Sequence, residues 1–239
     1  MWDNPRLLNG VASVLIGIAL AMLLVAGAQA ALRSSWFQLR EVTVLGSPAH
    51  VDREQIRRAM QSAVGAANFL AVDIDAVRGA LERLPWVRRV ELRRVWPDRL
   101  EISLEEHVAF AHWGATALVN THGEVFAARS DESLPMLAGP PGAEVEVVRR
   151  YRRFAEVLAP LSDAPQRVTL TSRHAWQLRL QSGLHVELGR DHPGESADRR
   201  LARFVASYPQ TLGRMQRRHE YVDLRYANGF ALRVPELDG

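Results

Sequence analysis

LPWVRRVELRRVWPDRLEISL, residues 84–104, alternates apolar and charged side chains on either side of a short break. Val90 and Leu92 alternate with charges, as do Leu100, Ile102 and Leu104. A period of two marks strands with one buried and one wet face. Between them Trp96-Pro97-Asp98-Arg99 supplies the Pro and Asp of a turn, so the stretch reads as a β-hairpin. Its wet face carries Glu91, Arg93, Glu101 and Glu105, and its apolar face needs a cover.

Two amphipathic segments upstream provide that cover. Asp52 with Gln55 three residues later forms a capping-box pattern, and Ile56, Ala59, Met60 and Ala63 follow at helical spacing. A second helix begins at Asp73 or Asp75, repeats the spacing with Val77, Ala80, Leu81 and Leu84, and is stopped by Pro85. Asp73-x-Asp75 reads as a helix-start pair favoured by the dipole rather than as a metal site. Further back, Leu39 to Leu45 reads as a strand with Val42 and Val44 on one face, closed by Gly46-Ser47-Pro48. Strand, helix, helix, strand, strand makes a compact α+β unit with its helices on one sheet face.

Ahead of this unit, Leu7 to Leu32 contains no ionisable side chain. A membrane-spanning helix needs about 20 mainly apolar residues, and the run is long enough. Its ten Leu, Ile or Val residues from Val11 to Leu32 favour insertion by roughly 3–6 kcal/mol. Ala28-Gln29-Ala30 is also an A-x-A pattern of the kind that ends a cleaved signal, although the apolar core is longer than signal cores usually are. Arg6 on one flank against Arg33 and Arg40 on the other barely biases orientation. Long following domains translocate largely regardless of such charges, so either fate exports the remainder. Trp36 and Phe37, in the linker that follows, suit a membrane interface or the first residues of the folded part.

Composition narrows the chemistry. All 30 basic residues are Arg, which explains a sequence pI near 9.9 at a formal net charge of only +3. The pI is therefore no nucleic-acid footprint. Without Lys there is no Walker P-loop, no Schiff base and no S-x-x-K site; without Cys there is no thiol nucleophile, cysteine metal site or disulfide. No G-x-S-x-G or H-E-x-x-H occurs, and the eight His residues read as surface groups, His107 and His112 on opposite faces of a strand.

Beyond the hairpin the chain reads mainly as strands: Val108 to Trp113, Ala117 to Asn120, Val125 to Ala127, Leu134 to Leu137, Val168 to Thr171, Trp176 to Leu180, His185 to Leu188, Val222 to Tyr226 and Phe230 to Val234. Asn228-Gly229 is a strong signal for a tight turn between the last two. Two helices interrupt the strands. Glu144 to Leu158 turns Val148, Tyr151, Ala155 and Leu158 inward, and Asp198 to Tyr208 turns Leu201, Phe204, Val205 and Tyr208 inward. The Arg149, Arg150, Arg152, Arg153 and Arg214, Arg217, Arg218 clusters read as solvated faces or as contacts to acidic lipid or a partner.

An ordered set of motifs carries a family resemblance. LPWVRRV from Leu84 and WPDRLEI from Trp96 resemble the POTRA domain of the FtsQ/DivIB family of bacterial division proteins. Leu134-Pro135-Met136-Leu137 with Gly139-Pro140 is similar to that family's middle segment. Ala175-Trp176-Gln177-Leu178, then Arg200 to Val205 with Tyr208-Pro209, and Tyr221 to Tyr226 with Gly229, are similar to its second half. His107-Val108-Ala109 departs from it, where the family often has a Pro after the Glu-rich end of the hairpin.

The resemblance implies a single N-terminal transmembrane helix (11–32) after a short cytoplasmic tail (1–10). A linker (33–38), a POTRA domain (39–107), a mainly antiparallel β domain with two helices (108–234) and a tail (235–239) would follow. It implies a retained anchor in the inner membrane as a type II single-pass protein, with the bulk in the periplasm at the division septum. It further implies a scaffold without enzymatic activity or cofactor that binds FtsB and FtsL, helps control septal peptidoglycan synthesis, and meets FtsK, FtsW and FtsI. No nucleic acid or small-molecule substrate is expected. In the family an FtsB segment adds to the edge of the β domain at its last strand. Tyr221, Leu224, Arg225, Tyr226, Asn228, Gly229 and Phe230 would form that edge, with Arg173 and Arg225 as charged contacts and Tyr226 as a packed one. Strand addition is physically open to any unpaired edge. Equally, Tyr221 and Leu224 fit a core role and Arg225 an edge charge that blocks aggregation. An envelope assembly or chaperone-like factor with a POTRA unit, and an exported cell-wall hydrolase, are the other readings.

Overall fold

The computed structural model describes residues 5–32, 41–46, 48–64, 69, 72–214, 219–226 and 229–233. The expected linker residues Trp36 and Phe37, along with Asn228, Arg217 and Arg218, lie outside them. The first element is α1 (Pro5–Leu32), whose stretch Asn9–Gly27 is long and apolar enough to cross a membrane and, among the described residues, is buried by none. Ile16, Leu20, Leu23 and Leu24 are all more than half exposed. A helix that is apolar on every side and covered by no protein suits hydrocarbon rather than water.

Contacts divide the chain into two units, Met1–Glu106 and His107–Gly239. In the first, β1 (Glu41–Leu45), α2 (Arg53–Val64), α3 (Ile74–Leu81), β2 (Val87–Val95) and β3 (Arg99–Glu106) form a sheet of order β1-β3-β2 under two helices. β1 runs parallel to β3, while β2 and β3 make the antiparallel hairpin read from the sequence. Ile56, Met60, Val77 and Leu81 bury against Val90, Leu100 and Ile102. The capping box forms as expected. Asp52 accepts from the Glu54 amide at 3.4 Å, and its own amide donates to Gln55 at 3.1 Å. Asp73 caps α3, accepting from the amides of Asp75 and Ala76.

Two details differ from the sequence reading. α3 ends at Leu81, not at Pro85: the Leu84 amide turns back to Leu81 O, and the Val87 amide to Leu84 O. A residue before Pro is pushed out of the helical region, so Leu84 serves the turn instead. The other is Glu106, to which the sequence assigns no role and which shares the core-facing side of β3 with Ile102. Its carboxylate accepts the amides of Ala49, His50 and Val51 at 2.9–3.3 Å, tying the loop before α2 to the end of β3. Burial alone would raise its pKa, but these backbone bonds and the His50 ring outweigh it and hold the carboxyl below its ordinary range.

Among the described residues the second unit is one nine-stranded sheet with two α-helices. Its strands are β4 (Ala109–Trp113), β5 (Ala117–Asn120), β6 (Val125–Phe126), β7 (Met136–Ala138), β8 (Pro165–Leu170), β9 (Ala175–Leu180), β10 (His185–Arg190), β11 (Tyr221–Asp223) and β12 (Ala231–Arg233). They lie in the order β12-β11-β10-β9-β8-β7-β4-β5-β6, mainly antiparallel, with parallel pairs at β10–β11, β7–β8 and β4–β7. α4 (Glu144–Leu158) and α5 (Ala197–Ser207) bury Val147, Val148, Phe154, Leu158, Leu201 and Phe204 against Val168, Trp176, Leu178 and Val186.

The Arg149–Arg153 cluster is not one solvated face. Arg150 is mostly buried, paired with Asp191 and Asp198, and its guanidinium lies 5.3 Å from the Trp176 ring centre. Arg152 donates to Thr121 O and lies over Phe110. Helical spacing of 3.6 residues sends these side chains to different faces, which a run of four Arg conceals. His107 is likewise no surface group: it precedes β4, is nearly enclosed, and stacks on Phe126 at 4.2 Å.

Candidate functional site

The end of the large sheet is built on a short parallel pair. β11 lies between β10 and β12, its Val222 and the following Leu224 pointing into the core beside Val186 and Leu188. The Leu224 amide donates to Glu187 O at 2.9 Å and extends the pairing with β10 by one residue. There the chain bends. Asp223, 5 % exposed, accepts the Arg225 amide at 3.0 Å, a side-chain turn that ends β11. The same carboxylate takes the Arg225 guanidinium at 2.6–3.1 Å. That fork holds the Asp223 carboxyl below its usual range and pushes the Arg225 guanidinium higher still.

The guanidinium reaches its place across Gly189. This residue sits at a bulge in β10 with φ of +72°, and a Cβ there would lie 2.8 Å from Arg225 Cγ. Only a residue that accepts positive φ and lacks a side chain leaves that path open.

Two clefts flank the turn. One, of about 540 Å³, is lined by Arg173, Arg190, Arg200, Arg225, His192 and Glu187 among others. Four Arg and one Glu line it; Arg200 is taken up by backbone carbonyls and Arg225 is paired with Asp223, and the remaining excess of basic residues suits an acidic ligand. The other, of about 400 Å³, lies between α5 and the last strands, with Phe204, Ser207, Leu224, Gly229 and Phe230 on its walls. Phe230 packs edge-on to Phe204 at 5.6 Å. Tyr226 is 56 % exposed beside this groove, its carbonyl accepting from Arg203.

Of the residues singled out from the sequence, Arg173 and Arg225 share the first cleft, and Gly229, Phe230 and Leu224 line the second. Leu224 is buried at 3 % exposure, so it supports the site from beneath rather than offering a contact. Tyr221 is half-buried under the Arg233 guanidinium, its phenol pKa raised by burial and by the carboxylates of Asp223 and Glu187. The expectation that Tyr221 to Tyr226 form the free edge is corrected: β11 is paired on both sides, and among the described residues β12 is the outermost strand. The tight turn expected at Asn228-Gly229 falls partly outside the described residues, at Asn228. Tyr221, Val222 and Asp223 pair with Arg233, Leu232 and Ala231, which leaves residues 224–230 as the connection.

Three supporting residues escaped sequence reasoning. Asp223 reads as an ordinary strand charge, and Gly189 falls just past the strand read as His185 to Leu188. Arg200, 2 % exposed, donates to the carbonyls of Leu188, Arg190 and Glu195 at 2.6–3.0 Å and forms part of both clefts. Carbonyl partners leave no trace in sequence; only its place on the inner face of α5 hinted at burial.

Comparison with known proteins agrees with this architecture. Residues 37–107 match the family model "POTRA domain, FtsQ-type", and residues 111–225 match "Cell division protein FtsQ/DivIB, C-terminal". A cell division protein FtsQ of Burkholderia pseudomallei is 41% identical over 98% of this chain and 94% of its own length. The FtsQ of Nitrosospira multiformis is 40% identical over 98% and 99%. That of Escherichia coli is 34% identical over 81% and 72%. Matched in both domains and along nearly its whole length, the chain belongs to the FtsQ/DivIB family of cell division proteins.

Proposed function

We propose that the chain is a non-enzymatic scaffold of the division machinery, held in the inner membrane by α1 with both folded units in the periplasm. Its second unit captures the periplasmic segments of FtsB and FtsL and so contributes to the control of septal peptidoglycan synthesis. The observation that carries this reading is an Arg-lined cleft containing both Arg173 and Arg225, in the same end of the sheet whose outermost strand among the described residues is β12. A segment that adds to β12 gains main-chain hydrogen bonds from the strand edge. Carboxylates on the same segment then reach Arg173 and Arg225, and an apolar side chain reaches the groove beside Phe230 and Tyr226. FtsK, FtsW and FtsI are further partners of the assembled scaffold. The test is co-purification of the tagged full-length chain from membranes, read for FtsB and FtsL. Their absence from the eluate, with the scaffold folded and recovered, overturns the proposal.

A further inference from the structure

The first unit has one end that the membrane tether keeps close to the bilayer, and that end carries an exposed tryptophan. Eight residues, Arg33 to Arg40, separate α1 from β1. A chain of that length spans at most about 30 Å. β1 is parallel to β3, with Glu41 opposite Arg99, so the hairpin turn before β3 lies at the end where the chain enters. The Glu41 amide donates to Asp98 O at 3.4 Å. The Glu106 cluster is at the far end of β3, about 25 Å away.

At the tethered end Trp96 is 66 % exposed, although its ring meets buried Phe69 edge-on at 5.7 Å. Phe69 is in turn covered by the Arg94 guanidinium, which donates to Val72 O. Trp96 is therefore set on a firm base at the tip of the turn and not left to swing. Charge is secondary here: Glu41 holds Arg99, and Glu101 lies opposite Arg93. An amphipathic ring on a near-neutral tip suits the headgroup layer, where Trp is enriched.

We propose that the Trp96-Pro97-Asp98 turn rests on the bilayer and inserts the Trp96 ring at headgroup depth, fixing the tilt of the first unit over the membrane. The inference depends on α1 being a retained span. The chain has no native cysteine, so a single introduced one carries a nitroxide label cleanly. Full-length Asp98→Cys, Arg83→Cys and Leu20→Cys proteins are labelled and placed in phosphatidylcholine nanodiscs. Collision rates with oxygen, which partitions into lipid, and with a water-soluble nickel chelate are then compared. The oxygen-to-nickel ratio at position 98 is expected to exceed that at position 83 several-fold and to stay below that at position 20. Adding Trp96→Glu should lower the ratio at 98 and leave that at 20 unchanged. Equal ratios at 98 and 83, with a high value at 20, overturn the inference alone. A low value at 20 overturns the membrane span and the inference with it. A raised ratio at 98 only in native membranes that contain other proteins points to a protein partner and also overturns it.

Discussion

The Arg225 guanidinium is clamped by the carboxylate two residues before it, with Nε 2.9 Å from Asp223 Oδ1 and an η-nitrogen 2.6 Å from Oδ2. The pair stops β11 and aims a cation into the Arg-lined cleft. Asp223 is buried while the Arg225 side chain is 57 % exposed, so solvent screens much of the attraction. Asp223→Asn should cost the second unit no more than about 2 kcal/mol at neutral pH. The cost should also depend on acid. Asp223 holds its proton less readily folded than unfolded, so its contribution is complete above the ordinary carboxylate pKa near 3.9. It is lost as pH falls through the lower folded value. Denaturation of both proteins from pH 7 to pH 2 should show their curves converging at the acid end.

Gly189→Ala tests the position of Arg225 without altering Arg225. The new methyl meets Arg225 Cγ and forces a left-handed residue to carry a Cβ, at roughly 1–2 kcal/mol. The guanidinium must leave its path across the bulge. FtsB capture should fall by a similar factor to that of Arg225→Ala, although no contacting side chain has been removed. Retention of full capture would show that the position of the cation is unimportant.

Tyr226 and Leu224 should separate binding from folding. Tyr226→Ala removes an exposed ring, so the melting temperature should stay near wild type while FtsB capture weakens. Leu224→Ala hollows the core beside Val186 and Leu188 and should cost about 2–5 kcal/mol. Circular dichroism melts paired with co-purification distinguish the two. A Tyr226→Ala protein that captures FtsB normally would remove that side chain from the site.

How far the sequence discloses this molecule depends on whether a feature is local. The hairpin from Val87 to Glu106, the Asp52–Gln55 capping box and the apolar α1 each rest on neighbours within a few residues, and each is present. The strand order β12-β11-β10 depends on pairing partners 36 residues apart, and alternation along a strand does not say which edge is free. Arg173 and Arg225 come together because β9 and β11 flank β10, a relation that no spacing reveals. Family resemblance pointed to the last strands; the geometry makes β12, among the described residues, the outermost of them.

Glu106→Gln addresses the first unit. The carboxylate accepts from three successive amides, and an amide group offers one acceptor oxygen and turns an NH2 towards them. The loss should be about 1–3 kcal/mol. Hydrogen exchange at His50 and Val51 should accelerate, while the β8–β9 pair in the second unit is unaffected. Since the folded pKa of Glu106 is lowered, this contribution holds above about pH 4.3 and disappears as pH falls below the folded value. Wild type and variant should therefore exchange alike in strong acid. Unchanged exchange at neutral pH would mean that water replaces the carboxylate without cost.

Arg200 is the residue on which both clefts depend, and its substitution separates geometry from charge. Its three carbonyl partners belong to the end of β10 and to the loop before α5, where the Glu195 carbonyl also accepts the His192 amide at 3.1 Å. Arg200→Met keeps the length and apolar stem but removes the guanidinium donor from the Leu188, Arg190 and Glu195 carbonyls, of which Glu195 keeps the His192 amide; the loss should cost roughly 2–5 kcal/mol. Arg200→Lys restores the charge, yet a single ammonium cannot fork to three carbonyls, so it should recover only part of the stability. If charge in the clefts were what mattered, Lys would restore capture fully. If the carbonyl clamp matters, capture should follow stability across Arg, Lys and Met, because loosening the β10–α5 loop displaces Arg190 and Phe204 together. Melts and FtsB co-purification on the same three proteins decide between them.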